Sequence, residues 1–451
     1  MRPPLPAALA VLLAVAACSP GPPAATPPGG NGPTATPPRT QGTVPSPVRG
    51  GPIREIRAER ERASLDGTRP AAVRDVVASD GVFALGLYQA VASGASGNLF
   101  LSPYSISTAL SMTYAGARGE TASQLADALG VPADPTLWHE GRNGVDLQLG
   151  MERQVPEGIT PLTLEPTNGL FGQDGFPFEQ EYLDTLAVYY GAGMQAVDFA
   201  AAPDIARGAV NEWVKQRTAD RIAQLLPPES VDELTRFVLV NAIYFKANWL
   251  QQFDPDATRD RPFILLGGPA VDVRMMHANL RSGYGLGRGW EAIRLAYAGN
   301  ASMLVIVPDT DRFDEIESRL DADLLEAVRD SLTDTSVDLV LPRWESASRI
   351  DLEPALEAMG VTDLFGPSIA DLTGIAPVED LYVSAALHQA NITVDEEGTE
   401  AAAATAVVGD VTSAPGRSVE LVVDRPFLYV VEDDVTGEIL FVGRVLDPSA
   451  G

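Results

Sequence analysis

One stretch near the C-terminus constrains the fold of this chain more than any other. A strand-like segment, 390–394, leads into it, and a second one, 419–423, follows it. The intervening stretch of about twenty residues has no apolar face of helical length, and connections this long inside a compact domain are uncommon and usually functional. An alanine-rich tract is also compatible with a helix or a simple linker. The stretch begins Asp395-Glu396-Glu397-Gly398-Thr399-Glu400-Ala401-Ala402-Ala403-Ala404.

The composition of this stretch favours a strand that could enter a sheet. Every residue from Thr399 to Val408 except Glu400 is small or β-branched and uncharged. Gly398 precedes them at a point where the chain could pivot. With the two-residue period of a strand, one face would carry Thr399, Ala401, Ala403, Thr405 and Val407. That face would fit inside a sheet.

Two further segments predict a buried core around this stretch. In residues 98–125, a buried strand ends at Ser102-Pro103, a helix with a small-residue face follows, and Gly119-Glu120-Thr121 opens another helix. Residues 237–248 form a near-continuous apolar strand that contains one asparagine, Asn241. An asparagine in such a strand is expected to be buried with specific hydrogen-bond partners.

Together these segments resemble the serpins, the serine protease inhibitor family. Residues 98–125 match the family's second-helix signature, 395–404 resembles the hinge of its reactive-centre loop, and further segments between about 70 and 448 follow in the family's order. The resemblance implies an α+β fold, the serpin fold, with three β-sheets, about eight to nine helices and an exposed reactive-centre loop at about 397–418. Within that loop the hinge comprises Glu396, Glu397, Gly398, Thr399, Glu400, Ala401, Ala402, Ala403 and Ala404.

The resemblance also assigns roles to residues outside the hinge. The "shutter", where strands of the main sheet part to admit the loop, is implied to comprise Ser102, Ser105, Asn241 and His388. The "breach" near the top of that sheet is implied to contain Trp249 and an ion pair between Arg343 and Glu396.

The scissile bond follows from the family's usual spacing. Counting forward from Glu396 places it at Thr412-Ser413, whereas counting back from Arg425 lands about three residues later. Thr412 would suit elastase-like or subtilisin-like proteases with small apolar pockets. Val411 and Arg417 remain alternatives, and Arg417 would imply a trypsin-like target.

No catalytic set or metal site emerges from the sequence. Residues 93–97 have the wrong glycine spacing for a nucleophile elbow, and His139-Glu140 lacks the second histidine of a zinc protease helix. One cysteine and three histidines do not predict a structural zinc site. The chain is therefore expected not to be an enzyme, and no cofactor is indicated.

The N-terminal residues predict export. A positive start, an apolar run from Leu5 to Ala17 and small residues before Cys18 describe a signal peptide and resemble the bacterial lipoprotein box. The alternative is an ordinary signal peptide with an incidental cysteine. The predicted organisation is a signal peptide at 1–18, a Pro/Gly/Thr-rich tether and charged segment at 19–69, and a serpin domain at 70–451. The charged residues 53–63 suggest a short exposed helix or more tether.

These features predict an extracytoplasmic protein, anchored to a membrane through lipidated Cys18 or secreted. The net charge of −29 and pI near 4.4 argue against nucleic acid as a partner. The partner implied by the resemblance is a serine protease, trapped as a covalent acyl-enzyme while the freed hinge inserts into the main sheet, and the protein is expected to be a monomer. The alternative is a non-inhibitory serpin that acts as a binding or structural protein or is cleaved as a plain substrate. The usual mark of that class, proline or large charges on the inward hinge face, is missing here.

Overall fold

The computed structural model describes residues 52–157, 159, 162–378, 380–399 and 418–450. Several predicted site residues lie outside these ranges: the lipidation candidate Cys18, the hinge residues Glu400, Ala401, Ala402, Ala403 and Ala404, and the scissile-bond candidates Val411, Thr412, Ser413 and Arg417.

Nine α-helices lie in the described part of the chain. They are α1 (Pro70–Ala92), α2 (Pro103–Tyr114), α3 (Gly119–Leu129), α4 (Pro135–Leu149), α5 (Gln180–Thr185), α6 (Pro203–Arg217), α7 (Phe313–Glu317), α8 (Ala322–Ser331) and α9 (Glu353–Ala358). Local sequence sets their ends. Ser102 caps α2, because its side chain accepts a hydrogen bond from the backbone N–H of Ser105 (3.3 Å) and Pro103 occupies the first helical position. Gly130 ends α3 in the left-handed conformation, with φ of 70°.

Seven strands form one sheet, called the main sheet below. In spatial order they are β1 (Ile53–Ile56), β4 (Met194–Val197), β3 (Thr163–Gln173), β5 (Phe237–Asn248), β13 (Gly398–Thr399), β12 (Ala385–Val394) and β11 (Trp344–Asp351). The central strand β5 is buried except at Tyr244 and Lys246. Helix α2, buried from Pro103 to Thr113, packs against β3 and β5, which explains the near-continuous apolar sequence of that strand.

Nine strands form a second, continuous sheet. Eight follow the order β14 (Val419–Val422), β10 (Thr333–Pro342), β7 (Ala270–Gly287), β8 (Trp290–Tyr297), β9 (Ala301–Pro308), β15 (Phe427–Asp433), β16 (Ile439–Val445) and β2 (Leu99–Leu101), and β6 (Arg259–Ile264) pairs with β7. The 18-residue strand β7 pairs with β6 over residues 270–275, with β10 over 275–284 and with β8 over 283–287. The second and third sheets implied by the resemblance thus share β7 and run into one another.

The charged segment before α1 differs from the expectation of a short exposed helix or more tether. Residues Ile53–Ile56 form a strand that pairs antiparallel with β4 and becomes the edge of the main sheet. Beyond it, the Arg62 Nε–H donates to Asn143 Oδ1 (2.8 Å) and the Ala63 N–H donates to the Val188 carbonyl (2.8 Å). No helix within the described ranges combines the length and the apolar composition needed to cross a membrane.

Candidate functional site

The candidate site is the seam between the parallel strands β5 and β12 of the main sheet. The two strands pair directly over six residue pairs, from Ala385 with Val238 to Ala390 with Ile243. Above that level β13 lies between them, where Gly398 pairs with Asn248, and Thr399 pairs with both Ala247 and Val394. The seam is therefore closed at one end and opened at the other by the first two residues of a further strand.

Trp249 holds the backbone of the segment that enters the seam. Its indole N–H donates to the carbonyl of Asp395 (2.9 Å), and its backbone N–H donates to the carbonyl of Glu397 (2.8 Å). The N–H of Phe253 donates to the carbonyl of the intervening Glu396 (2.9 Å). Three successive carbonyls before Gly398 are thus fixed by one short segment after β5.

The side chain of Glu396 is buried and is held by two other residues. Arg343 Nε–H donates to one carboxylate oxygen (2.8 Å), and the Arg343 guanidinium also contacts the other oxygen. The hydroxyl of Thr258 donates to the same carboxylate. The Arg343 side chain remains 41% exposed, so the pair is shielded from water on the Glu396 side only.

A tight turn at Asp395 aims the chain into the sheet, and only glycine fits at its end. The Asp395 carboxylate accepts hydrogen bonds from the N–H groups of Glu397 (2.9 Å) and Gly398 (3.2 Å), while burial raises the pKa of that carboxyl. Gly398 has φ of 152°, and a Cβ there would come within 2.1 Å of the Ala247 carbonyl oxygen. Position 398 therefore requires glycine for both its conformation and its close approach to β5.

Thr399, the second residue of β13, is already buried in the main sheet. Its side chain is 1% exposed, and its hydroxyl is hydrogen-bonded to the hydroxyl of Tyr297 (2.7 Å). Tyr297 ends β8 of the second sheet and stacks on Trp249, with ring centroids 4.3 Å apart and planes at 9°. Sequence reasoning did not single out Tyr297 or Thr258.

The four shutter candidates lie together beneath the seam in one hydrogen-bond network. The Ser102 N–H donates to His388 Nε2 (3.1 Å), so the proton of the neutral ring lies on Nδ1 and is donated to Asn241 Oδ1. The Asn241 amide donates in turn to Ser105 Oγ (2.8 Å), and the Ser102 hydroxyl donates to the Leu440 carbonyl (2.7 Å). Burial lowers the pKa of His388 to about 3, which keeps the ring neutral.

A fifth member of this network, Asn168, was not predicted as a site residue. It lies directly opposite Asn241 on β3, and its Oδ1 accepts from the Asn241 amide and from Ser105 Oγ (3.2 Å). The signal available in the sequence was an asparagine at the start of the strand-like segment 168–171. Since His388 also lies opposite Asn241 on β12, the network spans the seam, and the bond between these two side chains must break if β5 and β12 separate.

Comparisons with known proteins agree with this geometry. A family model described as "Serpin (serine protease inhibitor)" matches residues 78–448. A leukocyte elastase inhibitor of Bos taurus is 37% identical over 370 residues, which are 78% of this chain and 94% of the relative. An uncharacterized serpin-like protein of Methanosarcina mazei is 33% identical over 83% of this chain and 88% of its own length. The crystal structure of uncleaved ovalbumin is similar with a TM-score of 0.75 and 28% identity over 83% of this chain and 100% of that structure.

These findings confirm the expected α+β serpin fold. Because the matching family is described as serine protease inhibitors and the Bos taurus relative is named an elastase inhibitor, they also confirm that the chain is not an enzyme. The chain belongs to the serpin family.

Proposed function

We propose that this serpin inhibits serine proteases by covalent trapping, in which the hinge inserts into the seam after cleavage of the loop. The observation that carries the proposal is the position of Thr399, which is already paired between β5 and β12. The hinge has begun to insert between two parallel strands, and further insertion requires that the loop be released from the strand that follows it. Cleavage near Thr412-Ser413 would supply that free end.

The register of the first inserted pair indicates where the remainder of the hinge would lie. Continuing antiparallel to β5 from the pair Thr399 with Ala247 brings Thr405 opposite Asn241 and Val408 opposite Val238. Val238 is also where the direct pairing of β5 with β12 begins. The six uncharged residues 403–408 would therefore cover the six pairs of the closed part of the seam.

The same register offers the shutter a substitute hydrogen-bond partner. Separating β5 from β12 breaks the bond between His388 and Asn241 and leaves two buried polar groups without it. Thr405 would arrive on the face that Thr399 shares with Asn241, because both positions have the same parity along the strand. Its hydroxyl would lie among these groups and lower the free energy of the inserted state.

The uncleaved state is then metastable, and its lifetime is set by the barrier to opening the seam. Six residue pairs and the His388–Asn241 bond must separate before the hinge can advance beyond its first residues. In the inserted state the hinge forms a new strand that pairs with β5 on one edge and with β12 on the other, which replaces the pairs that were lost. An acyl-enzyme attached to that strand would be carried along, and its catalytic geometry would be distorted.

We further propose cleavage at Thr412-Ser413 and a target among elastase-like or subtilisin-like proteases. A small β-branched residue before the scissile bond supports this choice, and so does the name of the leukocyte elastase inhibitor relative. The test is a denaturing gel of residues 19–451, with Cys18 omitted, incubated separately with elastase, subtilisin, chymotrypsin and trypsin. A band at the summed mass is expected for elastase or subtilisin. The first residue of the released C-terminal peptide, read by mass spectrometry, should be Ser413.

Cleavage by all four proteases without a stable complex would instead assign the chain to the non-inhibitory class of binding proteins or plain substrates. A complex with trypsin alone and a peptide beginning at Ser418 would move the scissile bond to Arg417.

The extracytoplasmic location with a lipid anchor at Cys18 is also a proposal and needs its own experiment. It is supported by the residues before Cys18 and by the Pro/Gly/Thr-rich tether after it. Incorporation of labelled fatty acid by the full chain in a bacterial host, and its loss in Cys18→Ser, is the expected outcome. An unlabelled full chain would favour a secreted protein. Sedimentation of residues 19–451 tests the expected monomer.

A further inference from the structure

We propose that Tyr297 is a positioning residue that holds Thr399 in the main sheet before the loop is cleaved. The proposal rests on the proposed inhibitory function, because its consequence is the efficiency of hinge insertion. Tyr297 reaches the hinge from the second sheet and was not among the predicted site residues.

The hydrogen bond between Tyr297 and Thr399 connects the two sheets at the point where the hinge enters. Tyr297 is the last residue of β8, and Thr399 pairs with β5 and β12. Both residues are buried, with exposed fractions of 2% and 1%, and their hydroxyls are 2.7 Å apart. At this depth bulk water does not reach either hydroxyl. Removing one of them therefore leaves the other without a hydrogen-bond partner, which raises the free energy of the folded state.

The phenol ring of Tyr297 is held in place by residues outside the hinge. Trp249 stacks on it at 4.3 Å, Phe245 meets it edge-on at 5.5 Å, and Trp249 and Tyr297 also form an isolated backbone bridge. Trp249 itself binds the Asp395 carbonyl through its indole. Phe245, Trp249 and Tyr297 therefore form a rigid socket that holds the hinge at Asp395 and again at Thr399.

This socket accounts for the threonine that precedes the alanines of the hinge, and it adds to the contacts that set the register of the hinge. A slip by one residue would bring the charged Glu400 against the buried phenol, which is strongly unfavourable. A slip by two would bring Ala401, which fits the space but leaves the Tyr297 hydroxyl without a partner. The close approach of Gly398 to β5 already disfavours such slips, and the hydroxyl of Thr399 disfavours them further. The register that brings Thr405 opposite Asn241 is thus supported by the Tyr297–Thr399 bond.

The experiment is a double-mutant cycle on residues 19–451 with Tyr297→Phe, Thr399→Val and the double variant. Two quantities are measured. The first is amide hydrogen exchange in the uncleaved protein, read from the peptide that ends at Thr399 after exchange is quenched, and the second is the number of inhibitor molecules consumed per protease molecule trapped. Each single variant should lower the exchange protection of the hinge by roughly tenfold and raise the number consumed. Thr399→Val should have a much smaller effect when Phe already occupies position 297, because the bond it removes is gone.

Two controls separate this role from a general contribution to the core. Tyr284→Phe removes another buried phenol, hydrogen-bonded to Glu291 (2.6 Å), and should leave hinge exchange unchanged. Thr399→Ser keeps the hydroxyl and should retain protection that Thr399→Val loses, which gives an answer even if Tyr297→Phe fails to fold. Equal effects of Thr399→Val in both backgrounds, or of Ser and Val at position 399, would overturn the proposal. Since exchange is measured without a protease, failure of wild-type protein to trap any protease would refute the proposed function separately.

Discussion

At the residue scale, Glu396 links the hinge to Arg343, which lies between β10 and β11. Replacing it by lysine places a cation beside the Arg343 guanidinium and removes the acceptor of the Thr258 hydroxyl. Because Arg343 is partly exposed, we expect a cost of about 2 kcal/mol to the docked hinge, below that of a fully buried pair. Glu396→Lys should therefore form polymers on gentle heating, as followed by native gels.

The matched control for this change is Glu420→Lys, which introduces the same charge at an exposed position on β14. It should remain monomeric at the temperature at which Glu396→Lys polymerises. Equal behaviour of the two variants would show that net charge, and not the breach, determines polymerisation.

A second residue-scale prediction concerns Glu438, a buried acid outside the hinge. It is fully buried, and burial together with nearby Asp80 raises its pKa well above the usual value of 4.5. The folded protein then keeps the proton that the unfolded chain loses above pH about 4.5, so this group's contribution to stability falls as pH rises from there through the folded pKa.

Glu438→Gln stays neutral at every pH and should remove that dependence. The unfolding midpoint of the variant should rise relative to wild type between pH 4 and pH 8, as measured in urea at fixed ionic strength. Glu345→Gln, at an exposed position on β11, should leave the pH dependence of wild type unchanged. A constant difference between Glu438→Gln and wild type across this range would mean that Glu438 ionises normally.

Residues are also where sequence reasoning about the site reached its limit. Ser102, Ser105, Asn241 and His388 could be proposed from a resemblance, and they do lie together. Asn168 joins this network, whereas Thr258 contacts Glu396 and Tyr297 contacts Thr399. Their roles follow only from which residues lie next to each other in the folded chain, and a single sequence carries little information on strand register.

At the element scale, the strand β1 is the part of the fold that the sequence described least well. Its alternating charges suggested solvent exposure. An edge strand is also partly exposed and charged, so composition alone does not distinguish an edge strand from an exposed helix or tether. The role of the long strand β7 was not evident either, because its glycine-rich end did not indicate that it would join two sheets. By contrast, the apolar β5 and the capped α2 were evident, because burial and capping are encoded locally.

Strand β1 should stabilise the main sheet by covering the edge of β4. Its four residue pairs, with the contacts of Arg62 and Ala63 behind them, contribute about 3 kcal/mol by order of magnitude. A chain beginning at residue 64 should therefore melt at a lower temperature than one beginning at residue 52, as followed by circular dichroism. A chain beginning at residue 19 should melt like the latter, and equal melting of all three would show that β1 adds nothing.

At the scale of the whole molecule, the described hinge places the uncleaved protein between two arrangements of one sheet. The end of the seam at Thr399 already has the geometry of an inserted strand, whereas the six pairs below it still join β5 directly to β12. The sequence indicated that the hinge could enter a sheet. It could not indicate how far, because that depends on the balance between the pairs gained by the hinge and those lost in the seam.

This balance predicts that cleaving the loop stabilises the protein as a whole. Freed from its downstream strand, the hinge can complete its pairing with both β5 and β12, so the cleaved form should unfold at a higher temperature and denaturant concentration than the intact form.

Thr399→Arg would place a cation in the buried socket of Tyr297 and Trp249 and should block that gain, and with it the trapping of protease. The measurement is thermal unfolding of intact and nicked protein, with the nick made by a protease that is not trapped. Glu400→Arg is the control, because the two-residue period of an inserted strand would place position 400 on the face opposite to Thr399, so this variant should leave the gain largely intact. If nicked wild-type protein melted at the temperature of the intact form, the uncleaved state would be the more stable arrangement, and the energy source that trapping requires would be missing.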